Sequence, residues 1–233
     1  DGGTMSGGTL SGAGAFIIDK AFTWSSGSMT DGGKVVVAPG VTLTMSTTGY
    51  KDLSRFLEIE GTVDYTGSNL RFGASSDQVG TIHVASGSTF NAIGEGDFNI
   101  LWGGIAHTIL NDGTFTRSGT GTTTVNNGIT FNSNNIVDVQ EGTLQLAGGG
   151  TDSGTLSGPG IIEFTSGTHT LTGVTGTANL KISNGKVQAT GTGADIGGTT
   201  TITGGTLNVG TTYRTDGGTM SGGTLSGAGA FII

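Results

Sequence analysis

Short runs of alternating apolar and polar residues, each closed by a glycine and followed by a second such run, recur along almost the whole chain. The pattern stands in KVVVAPGVTLTM around Gly40, FLEIEGTVDYTG around Gly61, TIHVASGSTFNAIG around Gly87 and TILNDGTFTRSG around Gly113. It returns in NIVDVQEGTLQLAGG around Gly142, LKISNGKVQATG around Gly185 and TTITGGTLNVG around Gly205. FTSGTHTLTG around Gly167 joins the series with residues 161–164 as its first strand. A period of two is what a half-buried strand requires, because successive side chains point to opposite faces. In FLEIEGTVDYTG, Leu57, Ile59, Val63 and Tyr65 then face inward, while Glu58, Glu60 and Asp64 face outward. No stretch carries a helical stripe. The nearest, GYKDLSRFLEIEG, holds Leu53, Phe56 and Leu57 but runs straight into a strand.

The glycines lie 21, 26, 26, 29, 25, 18 and 20 residues apart. A strand–turn–strand unit recurring at that interval is the mark of a solenoid, in which each turn stacks on the one before. Hairpins in a sandwich also give regular strands. The inward sets are small, mostly Val, Leu and Ile with few aromatics, which suits a narrow core and favours the solenoid. The expected fold is all-β, a right-handed parallel β-helix (β-solenoid). The register predicts Val35, Val37, Leu43, Leu57, Ile59, Val63, Ile82, Val84, Ile109, Phe115, Val137, Val139, Leu144, Leu146, Ile182, Val187, Ile202, Leu207 and Val209 inside. It predicts Glu58, Asp64, His83, Thr116, Asp138, Gln145, Lys181, Gln188 and Asn208 outside. Composition agrees: 48 glycines without a three-residue period exclude collagen, and 11% charge is too low for a disordered polyelectrolyte. Gly and β-branched Thr favour turns and strands over helices.

The first eighteen residues, DGGTMSGGTLSGAGAFII, return unchanged at 216–233, an offset of 215. Residues 1–215 therefore read as one complete period of a continuous solenoid and 216–233 as the start of the next. Nine or ten turns per period at ~4.8 Å give an axial advance of about 43 to 48 Å. The two copies are expected to superimpose by a translation along the axis plus accumulated twist, with an open, apolar cross-section at each end. The implied partners are neighbouring identical periods stacked head-to-tail, with lateral self-association or surface glycans as further contacts.

GTFTRSGTGTTTVNNGITFNSNNIVDVQEGTLQLAGGGTDSGTLSGPG (113–160) and GGTTTITGGTLNVG (197–210) resemble the autotransporter-associated β-strand repeats and the related filamentous-haemagglutinin-like segments. The shared motif is an acidic or polar residue followed by G-T-L-x-(L/V), and it covers about half a period. Residues 49–107 depart from it, with more charge and more aromatics. The resemblance implies a secreted β-helix at a bacterial cell surface, acting as stalk, fibre or adhesin.

Net charge is −8, or −7 per period once Asp216 is set aside, which argues against nucleic acid. There is no Cys, hence no disulfide or thiolate metal site, and no apolar run reaches the length of a membrane span. Carboxylates concentrate at Asp52, Glu58, Glu60, Asp64, Asp77, Glu95 and Asp97, with Arg71 or Lys51 as a basic neighbour for Glu58 and Glu60. That set admits a polysaccharide-cleaving β-helix. Two carboxylates at i and i+2, however, are what any solvated sheet face shows. His83, His107 and His169 lack zinc spacing, and His83 and His169 read as outward polar positions. Glycine clusters lack the strand-to-helix context and Lys of a phosphate loop and read as corners. The tandem calcium-binding nonapeptide is missing. The triplets Thr122–Thr124, Thr168–Thr170 and Thr199–Thr201 admit ice binding only if they stack in register on consecutive turns. Residues 92–110 interrupt the pattern. They read as an ordinary strand with core aromatics, and otherwise as the first choice for a binding loop. The expected function is structural, with no catalysis, cofactor or metal; an adhesin or carbohydrate-binding β-helix is the alternative.

Overall fold

The computed structural model describes residues 1–46, 49–67, 69–74 and 77–233. Among them there is no helix, and the strands pair in parallel. Three of the residues in the divergent stretch 49–107 (68, 75 and 76) lie outside the described set.

The chain winds as a three-sided prism. Lys34–Val37 lies on face I, Thr42–Met45 on face II and Lys51–Leu53 on face III; Phe56–Ile59 then returns to face I directly over Lys34–Val37. Thr62–Tyr65 and Leu70–Phe72 repeat the circuit over faces II and III. Where corners are tight, one strand passes round them: Lys186–Ile202 contributes to all three faces. Parallel stacking with short corners is what alternating strands and frequent glycines allow. Apart from a few corner bonds such as the Val41 N–H to the Ala38 carbonyl, each turn satisfies its backbone donors and acceptors through the turns above and below.

All nineteen residues expected inside are buried. The nine expected outside are half-buried, since each outward side chain is flanked by its neighbours in the turns above and below. Corner glycines are required in two ways. Gly87 has φ 82°, a left-handed conformation that costs a residue with Cβ, and Gly61 needs close approach, because a Cβ there would lie 2.4 Å from the Ala38 and Val41 carbonyl oxygens. The motif glycines do not mark one corner. Gly40, Gly61, Gly87 and Gly113 join faces I and II, Gly142 joins II and III, and Gly167, Gly185 and Gly205 join III and I.

Turn length varies. The inner positions of face I step by 27 residues from Ile82 to Ile109 and by 18 from His169 to Val187. The core is widest where turns are longest, and there it departs from the aromatic-poor filling expected. Phe98 lies 5.2 to 6.5 Å, between ring centroids, from Tyr65, Phe72, Phe90 and Phe115, and Phe90 and Phe115 stack at 5.1 Å and 2°.

Candidate interface at the repeated turn

Residues 1–18 and 216–233 share a sequence and, at two corner glycines, a backbone conformation, although Gly3–Leu10 is one continuous strand and its counterpart is broken after Met220. Gly8 has φ 76° and Gly223 75°; Gly12 has 101° and Gly227 107°. In the first copy, residues 3–5 lie on face II beneath 22–24, Thr9 and Leu10 on face III beneath Ser28 and Met29, and Phe16–Ile18 on face I beneath 35–37. In the second copy, residues 217–220 lie on face III over 199–202, Thr224–Ser226 on face I over 206–208, and Ala230–Ile232 on face II over 212–214.

The same strands have advanced by one face. From Gly3 the face II ladder climbs ten levels to Arg214 before the second copy begins on face III, so 215 residues make about ten and one-third turns. That is just above the nine or ten expected, and the fraction sets the relation between copies: a translation along the axis combined with a rotation of one face, about a third of a turn. The cause is that turn lengths are set by corner residues, and their sum need not close on the starting face.

Each copy displays what the other lacks. In the first, Met5, Leu10 and Phe16 are roofed by Trp24, Met29 and Val35; in the second, Met220, Leu225 and Phe231 are floored by Ile202, Leu207 and Tyr213. Tyr213 and Phe231 stack at 5.6 Å and 12°. On its uncovered side the second copy leaves Met220 50% and Ile233 73% exposed around an apolar hollow of about 100 Å³ lined also by Ile202, Leu225 and Phe231. Asp216 is the only charged side chain in that turn. Chemically this end offers apolar contact and unpaired strand edges, the two features that drive stacking of a further turn.

The carboxylates do not converge. Asp52, on face III, pairs with Arg71 at 2.6 Å, and Arg71 lies over the Tyr50 ring at 4.1 Å. Glu58, on face I, meets His83 Nδ1 at 2.8 Å, while His83 Nε2 meets Asp112 at 2.9 Å. The Asn134 amide and then the His83 ring hold the Asp112 carboxyl below its ordinary value. Asp64, on face II, accepts from Asn91 at 2.8 Å. Neither Arg71 nor Lys51 stands by Glu58: Arg71 belongs to Asp52, and Lys51 is buried, because KDL places Lys51 and Leu53 on the same inward parity. The Thr triplets do not stack on consecutive turns. Those at 122–124 and 199–201 share face III but are separated by three intervening strands, and 168–170 lies on face I. In residues 92–110, Phe98 is in the core, while Leu101 and Trp102 are exposed on the loop after Phe98–Ile100.

His83 faces out as expected, but His169 does not. It shares inward parity with Leu171, pairs with Gly150 in the turn below and packs its imidazole 4.7 Å from the Phe164 ring. Burial pushes His169 down to about 4, and its Nε2 donates to the Ser166 carbonyl at 3.1 Å. Three successive levels of the same face hold an inward polar column: the Asn111 amide donates to Ser133 Oγ at 2.9 Å, and Ser133 stacks on Asp152. Asp152 is buried without a hydrogen-bond partner for either carboxyl oxygen, and burial pushes it up to about 7. Arg55 and Arg117 are also inside. Arg55 donates to the Gly33, Gly12 and Gly14 carbonyls of lower corners, and Arg117 to the Ala92 carbonyl. Parity marks Arg117 as inward through Phe115, a signal the alternation already held.

Among the described residues no group of three or more His, Cys, Asp or Glu is placed to hold a metal ion. No family model, curated protein or solved structure matches the chain.

Proposed function

We propose that this chain is a segment of a continuous β-solenoid fibre, acting mechanically as a stalk at a bacterial cell surface. The carrying observation is the repeated turn: one sequence accepts an apolar roof in the first copy and an apolar floor in the second. The resemblance to autotransporter-associated repeats supports the surface location. Load along the axis would be shared by three parallel ladders of backbone hydrogen bonds, one per face.

Tandem copies of residues 1–215 are expected to form single rods that lengthen by about 50 Å per added period, at ~4.8 Å per turn. Electron microscopy of two- and four-period chains checks this. Beads on a string, with a constant bead size, would overturn the fibre reading.

An adhesin role is favoured by one feature, the exposed Leu101 and Trp102. A glycan array probed with the two-period chain and its Trp102→Ala variant separates the roles. A stalk binds nothing, whereas an adhesin binds through Trp102 and loses the signal in the variant.

A further inference from the structure

We infer that successive periods follow a three-fold screw, each starting one face further round, so that every outward group is displayed on all three faces in turn. The inference rests on the continuous-fibre reading and adds the geometry of the join. The face shift is already present within this chain, since residues 217–220 occupy face III and their counterparts 3–5 occupy face II. What remains is whether the shifted turn accepts the next period, and the two copies together supply both sides of that contact.

On face II the inner column runs Tyr213, Phe231 and then, by the contact Phe16 makes, Val35 of the following period. On face III it runs Ile202, Met220 and then Trp24 of the following period, by the contact Met5 makes. On face I it runs Leu207, Leu225 and then Met29 of the following period, by the contact Leu10 makes. All three columns stay apolar through the join although each passes from one face's residues to another's. An offset of a whole turn would instead set Phe231 on face I over Leu207, and the strand pairing places it over Tyr213. Three periods, about 31 turns and ~150 Å, return each element to its starting face.

The consequence is for partners. The Leu101–Trp102 loop follows face III here. It would follow face I in the next period and face II in the third. A second fibre or a ligand engaging that loop would find it on every side of the stalk, once per face in three periods.

Cryo-electron microscopy of three tandem copies of residues 1–215 tests this. The expected map is one unbroken solenoid in which the loop follows faces III, I and II in order. The chain has no Cys, so gold coupled to Trp102→Cys marks the three loops, and the unlabelled parent gives the same tracing should that variant misfold. An unbroken solenoid with the loop on one face throughout overturns the screw and leaves the fibre standing. A break in the ladders at each join overturns both.

Discussion

Asp152→Asn should raise stability at pH 8 by about 4 kcal/mol relative to the parent while leaving the two nearly equal at pH 4. The sign follows from burial. In the unfolded chain Asp152 releases its proton near the ordinary value of 3.8, whereas in the fold it holds the proton until about 7. Stability is full below pH 3.8, falls as pH rises and is lost by pH 7, after which both states are ionised. His169 works the other way. Its folded value of about 4 against 6.5 unfolded means that stability is full above pH 6.5 and lost as pH falls through 4. Between pH 4 and 6.5 the two slopes oppose each other and largely cancel in the parent. Removing the Asp152 charge should uncover the His169 slope as a gain of about 3 kcal/mol from pH 4 to 6.5. Denaturant unfolding of both chains across that range reads the difference, and parallel curves would refute the buried ionisable carboxyl.

Phe98→Ala should cost about 3 to 5 kcal/mol, the range for emptying a large aromatic site in a packed core. Phe98 closes the aromatic cluster where the turns are longest, touching rings from face II on three successive levels. No neighbour can collapse into the void without dragging a ladder with it. Phe98→Leu, which keeps most of the volume, should recover more than half of the loss. Equal melting of Phe98→Ala and parent would show that the wide turns are not held by this ring.

The alternation rule made the core legible, because parity within a strand is independent of everything outside it. Leu57, Ile59 and Val63 are inside for that reason alone. The same rule, applied from Leu171 or from Leu53, places His169 and Lys51 inside too, against the outward preference of their side-chain chemistry. His169 packs against the Phe164 ring of the preceding strand, and that is a relation between faces, which parity within one strand does not display. The candidate interface was legible as a repeat but not as a rotation. Which face a strand occupies depends on the accumulated length of all earlier corners. The recurrent glycine looked like a fixed landmark while it moved from the corner after Val37 to the corner before Thr206.

A stack in which each level touches only its two neighbours behaves as a chain of links in series. Its strength is that of the poorest link, not the average. On face I the level at Gly150–Asp152 pairs with the one below at Ser133 and Asp152, flanked by backbone bonds from the Phe131 N–H to the Gly149 carbonyl and from the Ser153 N–H to the Ser133 carbonyl, with no side chain at Gly150 and an acid at the third residue. Neutral, that acid is a tolerated guest; ionised, it sets an unpaired charge inside the face I ladder. A fibre of such periods would carry one such acid in each, evenly spaced along its length, and rising pH would loosen the stack there.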